Sequence, residues 1–158
     1  MKKKILFHSN SSKALTGFGK NAKNILSYLY LTGKYEIVEI SNGIQENDPK
    51  LKLMPWKTVG GIPSDPDSIQ KIKTDSKFKA KALYGGLRIK DIIKEERPDV
   101  YIGSEDIWAF SDWWNTRWWR QINTILWTTI DSVPILPSAI EGYENSSHLF
   151  TWSKFAAK

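Results

Sequence analysis

The chain has 158 residues, of which 41% are hydrophobic and 25% charged, and its formal net charge is +6. This length suits one domain over residues 1–158, and without an apolar run near ~20 residues a membrane-spanning helix is not expected. The lack of cysteine excludes disulfides and thiolate catalysis and fits a reducing compartment, so we expect a cytoplasmic protein.

The positive charge is spread along the chain. Lysines recur at residues 2–4, 20–23, 50–52, 71–81 and 90–94. A dispersed pattern is typical of solvated helix faces, whereas nucleic-acid binding favours clustered basic residues. Solvated helix faces are therefore the expected role of the lysines, and a basic nucleic-acid-binding domain is the weaker alternative function.

The first forty residues predict a strand, a helix and a second strand. Residues 4–8 are a short apolar run, residues 20–31 place apolar side chains at helical spacing, and residues 35–40 alternate like a strand. A loop of small residues, which includes Gly17 and Gly19, joins the first strand to the helix. This order is typical of a βαβ unit.

The rest of the chain continues the alternation after an irregular, proline-rich segment over residues 41–67. The predicted elements are a short strand at 56–59, a helix at 69–82, a helix that ends before Pro98, a strand at 99–103, a helix at 105–120, a strand at 121–130, a helical turn at 137–143 and a strand at 149–152. We therefore predict an α/β, Rossmann-like, doubly wound and mostly parallel sheet with helices on both faces.

The loop before the first helix is a candidate anion site. Glycines ahead of a helix N-terminus leave backbone N–H groups free to bind an anion, and the helix dipole favours negative charge there. Gly17 and Gly19 fit this arrangement, but the full G-x-G-x-x-G spacing is absent because residue 22 is Ala22. The alternative is an ordinary strand–helix turn that needs glycine for its backbone.

Acidic residues follow two predicted strands at the edge where open α/β sheets bind ligands. Glu105 and Asp106 come after the strand at 99–103, where they would accept hydrogen bonds from ligand hydroxyls or cap the following helix. Asp131 ends the strand at 121–130, either as a residue of the site or as a turn residue before Pro134.

Tryptophan is unusually frequent, with eight residues in the chain. Because one buried helical stripe cannot hold all the rings between residues 108 and 119, we expect some of them to form an interaction surface. A protein partner, a platform for a stacked acceptor and a peripheral membrane contact all remain open. The predicted surface consists of Trp113, Trp114, Trp118 and Trp119.

With these segments in view, the chain resembles the N-terminal, acceptor-side domain of a group 1 retaining glycosyltransferase of the GT-B type. The strand at 4–8, the Gly-Phe-Gly loop and the helix at 21–31 resemble the first βα unit of that family. Residues 96–103 are similar to its (K/R)PDVV strand, residues 129–134 to its PIDGxP loop, and residues 150–155 to its vxxSxF strand.

The resemblance implies transfer of a sugar from a nucleotide sugar to a carbohydrate or other hydroxyl acceptor, without a cofactor or an obligatory metal. The donor would be a substrate that a second domain holds across a cleft. The resemblance assigns the donor-phosphate loop to Gly17, Phe18, Gly19 and Lys20, the catalytic role to Asp131, and the acceptor side to Ser9, Glu105, Asp106 and Trp108.

Two departures from the family pattern affect the expected activity. Ser132 replaces the glycine of the PIDGxP loop, and the sequence stops at Lys158, before the donor domain and its E-x7-E motif. We therefore expect no transferase activity from this chain alone and expect a donor-domain partner or self-association through strand edges. The alternative function is a non-catalytic binding module that uses the tryptophan-rich segment.

Overall fold

The computed structural model describes residues 2–130, 134–154 and 157, and its centre is a sheet of parallel strands. The strands are β1 (Lys3–Asn10), β2 (Tyr35–Gln45), β3 (Lys57–Ile62), β4 (Val100–Ser104), β5 (Asn123–Thr128) and β6 (His148–Thr151). Their order is β3-β2-β1-β4-β5-β6, and each neighbouring pair is parallel. This confirms the predicted Rossmann-like α/β fold.

Helices follow or precede the strands along the chain. They are α1 (Gly17–Leu31), α2 (Pro66–Thr74), α3 (Ser76–Leu83), α4 (Ile89–Glu96), α5 (Arg117–Gln121) and α6 (Pro137–Glu144), with 3₁₀ helices at Pro49–Leu53 and Ile107–Phe110. Among the described residues, no helix is long and apolar enough to span a membrane.

The central strands are buried on both faces, because successive side chains of a strand point to opposite sides and helices cover each side there. On one face, Phe7 and Ile37 pack against Ala22 and Leu26 of α1. The other face carries a larger buried cluster, and its members come from β1, β2, β4, β5, α4, the segment after β4 and α5: Leu6, Val38, Ile40, Ile89, Ile92, Ile93, Tyr101, Phe110, Trp113, Trp114, Trp119 and Leu126.

The segment after β4 is not the single helix that the sequence predicted over residues 105–120. A 3₁₀ helix at Ile107–Phe110 is followed by turns at 111–116 and then by the short helix α5. Trp113 and Trp114 are adjacent and both buried, whereas a straight α-helix would direct neighbouring side chains about 100° apart. A turning path allows both rings to enter the core, so packing overrides the helical pattern.

The tryptophans of this segment therefore belong mainly to the core, which corrects the predicted interaction surface. Trp113, Trp114 and Trp119 are only 4%, 3% and 1% exposed, and Trp118 is half-buried against Trp119 at a ring-centroid distance of 5.4 Å. The Trp119 indole Nε1–H donates to the Asn145 carbonyl oxygen at 2.8 Å. These rings fill the space between the sheet and the segments that pack on it, and they do not form an exposed surface for a partner.

Residues at the helix ends explain where α3 begins and where α4 ends. The predicted helix over residues 69–82 is divided at Asp75, whose carboxylate accepts from the backbone N–H groups of Lys77 and Phe78 at 2.9 and 3.1 Å. As predicted, α4 ends before Pro98, and Arg97 adopts a left-handed φ of 46° at its C-terminus.

Glu39, in the middle of β2, is completely buried and ties the loop after β1 to the sheet. Its carboxyl oxygens accept four hydrogen bonds, from the Ser12 backbone N–H, the hydroxyls of Ser12 and Ser41 at 2.8 Å each, and the Trp56 indole N–H at 2.7 Å. Four donors compensate the desolvation of a buried carboxyl group. Glu39 thus fixes the position of the loop that leads into α1.

We predict that Glu39→Ala lowers the free energy of unfolding by about 3–5 kcal/mol, because the substitution leaves several buried donors without an acceptor. Urea denaturation followed by circular dichroism measures this loss. Glu36→Ala is the matched control on the same strand, because Glu36 is exposed and its one ion pair within the described part of the chain is with Lys4. The control should change stability by less than about 1 kcal/mol. An equal effect of both substitutions would contradict the role given to Glu39.

Candidate functional site

The candidate site lies at the carboxyl ends of β1, β2 and β4. The strand order reverses between β1 and β4, because the chain leaves β1 toward β2 on one side and β4 toward β5 on the other. In doubly wound sheets, such a switch point opens a crevice beyond the strand ends, where ligands bind. Polar side chains collect here, namely His8, Asn42, Glu105 and Asp106.

Four buried side chains at this edge form a continuous chain of hydrogen bonds. The Tyr101 hydroxyl donates to His8 Nδ1 at 2.8 Å, and His8 Nε2–H donates to Asn42 Oδ1 at 2.8 Å. The Asn42 amide then donates to Glu105 Oε1 at 3.1 Å. The directions follow from the donors and acceptors of each group and require a neutral His8 protonated on Nε2.

The surroundings of His8 support the neutral ring. Burial lowers the pKa of His8 to about 4, although hydrogen bonds to Asn42 and to the Tyr84 carbonyl oppose this shift. Trp113 stacks on the imidazole at a centroid distance of 5.3 Å. Gly85 packs over its edge with a φ of 72°, and a Cβ added there would lie 3.0 Å from His8 Nε2. His8 therefore acts as a fixed, uncharged link between strands.

Glu105, predicted on the acceptor side, is the end of this chain of hydrogen bonds. Burial raises the pKa of Glu105 to about 7, and the nearby Asp106 charge acts in the same direction. Hydrogen bonds from the Asn42 amide and the Asn10 backbone N–H oppose the rise. A carboxyl group that titrates near neutral pH can either donate to or accept from a ligand hydroxyl, as general acid–base groups do.

Asp106 and Trp108, also predicted on the acceptor side, line a cavity of about 170 Å³. Asp106 Oδ1 accepts a hydrogen bond from the Thr129 hydroxyl at 2.8 Å, so the segments after β4 and β5 are joined at this point. Trp108 is 54% exposed, in contrast to the buried tryptophans that follow it. The cavity thus combines a carboxylate, a hydroxyl and an accessible aromatic ring.

The predicted donor-phosphate loop leads into α1 at the same edge of the sheet. Thr16 caps the helix by accepting from the Gly19 backbone N–H at 3.0 Å. A Cβ on Gly19 would lie 2.5 Å from the Ala14 carbonyl oxygen, so glycine is required there for close packing of the loop. A Cβ on Gly17 would have no atom within 4 Å, so the start of the helix is open.

The neighbours of this loop differ in their environment. Phe18 packs edge-on against Trp152 at a centroid distance of 5.1 Å, which makes it a structural contact. Lys20 is exposed and lines a cavity of about 430 Å³ together with Lys13 and Lys23. The positive charge near the helix start is therefore greater than the sequence motif alone indicated.

The remaining predicted site residues are Ser9 and Asp131. Ser9 is fully buried, and its hydroxyl donates to the Ser104 carbonyl oxygen at 2.7 Å, so it supports the β1–β4 pair and does not line the crevice. Asp131, the predicted catalytic residue, lies outside the described residues. Within the described part of the chain, no group of three His, Asp or Glu side chains could hold a metal ion.

Sequence reasoning did not identify His8, Asn42 or Tyr84 as part of the site. His8 and Asn42 end adjacent strands, and their position at the carboxyl edge was the signal available in the sequence. Tyr84 comes from the turn between α3 and α4, and the charges of Glu105 and Asp106 contribute, after burial, to raising its pKa. That turn reaches the site only through tertiary packing.

The chain has only weak similarity to known proteins. No protein-family model matches the chain, and no curated protein does. It is similar to the structure of a UDP-GlcNAc 2-epimerase from Methanocaldococcus jannaschii, with a TM-score of 0.47 and 13% identity over 99% of this chain and 40% of that one. It is also similar to a calicheamicin glycosyltransferase, with a TM-score of 0.49 and 13% identity over 91% of this chain and 35% of that one. The chain spans less than half the length of either protein, and similarity at this level assigns no activity to it.

The pKa of Glu105 predicts a specific pH dependence. Its carboxyl group keeps its proton up to about pH 7 in the folded protein but loses it near 4.5 when unfolded. Raising the pH from about 4.5 to 7 should therefore destabilise the wild type relative to Glu105→Gln by about 3 kcal/mol. Denaturant unfolding of both proteins across this range measures the difference.

Two features of the experiment isolate Glu105. His8 has the opposite effect, because its low folded pKa stabilises the protein as the pH rises from about 4 to 6.5, but it is present in both proteins and cancels in the comparison. Glu95→Gln, on the exposed face of α4, is the matched control for the loss of a carboxylate away from the hydrogen-bonded chain. A difference between Glu105→Gln and the wild type that stays constant with pH would contradict the raised pKa of Glu105.

Proposed function

We propose that this chain is the acceptor-binding domain of a nucleotide-sugar-dependent glycosyltransferase. The observation that carries the proposal is the position of Glu105, a buried carboxyl group with a pKa of about 7, beside Asp106 at the switch point of the sheet. An acceptor hydroxyl needs a hydrogen-bond partner that can also take up its proton, and such a carboxyl group provides both.

The motifs of the family resemblance support the same proposal. The stretch over residues 96–103 leads into β4 and ends directly before Ser104 and Glu105, and residues 129–134 begin at Thr129, which is bonded to Asp106. The Gly-Phe-Gly stretch forms the first turn of α1. The described parts of three weakly specific motifs thus lie at one edge of the sheet, as a shared site requires.

In the proposed reaction, the acceptor oxygen forms a bond to the anomeric carbon of the donor sugar while the bond to the nucleoside diphosphate breaks. Glu105 and Asp106 hold the acceptor hydroxyl, Glu105 takes up its proton as the new bond forms, and Trp108 packs against the acceptor. The open start of α1 and Lys20 favour the negative charge of the departing diphosphate. A donor-binding domain would complete the cleft, and retention of anomeric configuration is the outcome that the family resemblance implies.

Binding of simple saccharides tests this proposal. We expect at least one of glucose, galactose, mannose, N-acetylglucosamine and maltose to bind with a Kd of about 1 mM or lower, detected by saturation-transfer NMR and by tryptophan fluorescence. Glu105→Ala and Asp106→Asn should each weaken that binding about tenfold. The first removes a hydrogen-bonding carboxyl group, and the second replaces a charged acceptor oxygen with a neutral one.

Glu95→Ala is the matched control, since it removes an exposed carboxylate from α4 and should leave binding unchanged. Circular dichroism verifies that each variant is folded. Failure of every saccharide to bind the wild type, or equal binding by the wild type and both site variants, would refute the proposed acceptor site.

A further inference from the structure

A second cavity, of about 420 Å³, lies between α3 and the 3₁₀ helix Ile107–Phe110. Its size is within the range of roughly 300–1,000 Å³ that small-molecule sites occupy. The lining combines aromatic rings, small residues and charged groups, and it includes Lys77, Lys81, Tyr84, Trp108, Ser111 and Trp113. No sequence pattern indicates this cavity, because α3 and the 3₁₀ helix are brought together only by the fold.

Trp108 connects this cavity to the site already described. Its ring lines both the cavity of about 170 Å³ that contains Asp106 and the cavity of about 420 Å³. Tyr84 holds the indole edge-on at a centroid distance of 4.8 Å and an interplanar angle of 75°. A half-exposed indole that is fixed by a neighbouring ring provides a rigid apolar surface for the C–H face of a sugar.

The floor of the cavity is equally well fixed. Trp113 lines it, is buried, and stacks on His8 of the hydrogen-bonded chain. Because Trp108 lines both cavities, the larger cavity adjoins the one that contains Asp106. A ligand in the larger cavity would thus extend from an acceptor held at Asp106.

The rim of the cavity carries more positive than negative charge. Lys77 and Lys81 are one turn apart on α3, so their side chains lie on the same side of the helix. Lys81 Nζ pairs with Asp112 Oδ2 at 3.2 Å, whereas Lys77 forms no ion pair within residues 2–130, 134–154 and 157. One ammonium group is therefore available to an anionic ligand.

We propose that this cavity is a saccharide subsite that takes a sugar bearing an anionic group, a phosphate or a carboxylate, next to the sugar whose hydroxyl reacts. The sugar ring packs on Trp108, and the anionic group lies at Lys77 on the rim. This inference rests on the proposed acceptor function and names the chemical class of that acceptor.

Calorimetry with glucose, glucose 6-phosphate and glucuronate tests the subsite, and the last two ligands distinguish a phosphate from a carboxylate. We expect at least one anionic sugar to bind about tenfold more tightly than glucose. Lys77→Ala should remove that advantage without changing the affinity for glucose. Trp108→Ala should weaken all three ligands about tenfold. Lys79→Ala, an exposed position on α3 that does not line the cavity, should change none of them.

The possible results separate this inference from the proposed function. If saccharides bind and depend on Glu105, but the anionic sugars keep their advantage in Lys77→Ala, the subsite is refuted while the acceptor site stands. If Trp108→Ala binds all three ligands as the wild type does, the packing of a sugar on Trp108 is refuted in both proposals. Equal affinities for glucose and both anionic sugars would likewise overturn the subsite. If no saccharide binds the wild type, both proposals fail. Because Trp108 and Lys77 are exposed, their variants are expected to fold, and circular dichroism verifies this.

Discussion

The candidate site depends on a buried chain of hydrogen bonds that crosses three strands. Tyr101 on β4, His8 on β1 and Asn42 on β2 are joined in sequence and end on Glu105. Each of these groups is buried and satisfied by its neighbours, so removing one would leave others without a partner at a cost in free energy. The strands are therefore fixed relative to each other at the edge where a ligand would bind.

The same chain of hydrogen bonds combines two titratable groups whose pKa values shift in opposite directions for the same reason. Burial disfavours the charged form of each group, which lowers the pKa of His8 to about 4 and raises that of Glu105 to about 7. Near neutral pH the histidine is uncharged, and the carboxyl group is close to its titration point. The fold thus places a carboxyl group that titrates near neutral pH at the end of a network in which the histidine stays uncharged.

Aromatic side chains perform two separate tasks after β4. Trp113, Trp114 and Trp119 fill the core, while Trp108, a few residues earlier, remains half-exposed between two cavities. The difference arises from the backbone path. The 3₁₀ helix is followed by turns that direct the later rings inward, and Tyr84 from another segment holds Trp108 at the surface. Composition alone indicates many tryptophans but not which of them stays exposed at the surface.

The sequence by itself determined the fold class, because the alternation of apolar strands with helical spacing is a local pattern that leaves few topologies open. It also located Glu105 and Asp106, because acidic residues directly after a strand must lie at its carboxyl end. The helix over residues 105–120 was predicted wrongly, because packing of adjacent tryptophans outweighed local periodicity. Only the tertiary structure brought His8, Asn42 and Tyr84 to Glu105 and formed the cavity beside Lys77, because these contacts join residues far apart in the chain. Burial, which shifts the pKa of His8 and of Glu105, likewise arises only when the strands and their covering segments pack together.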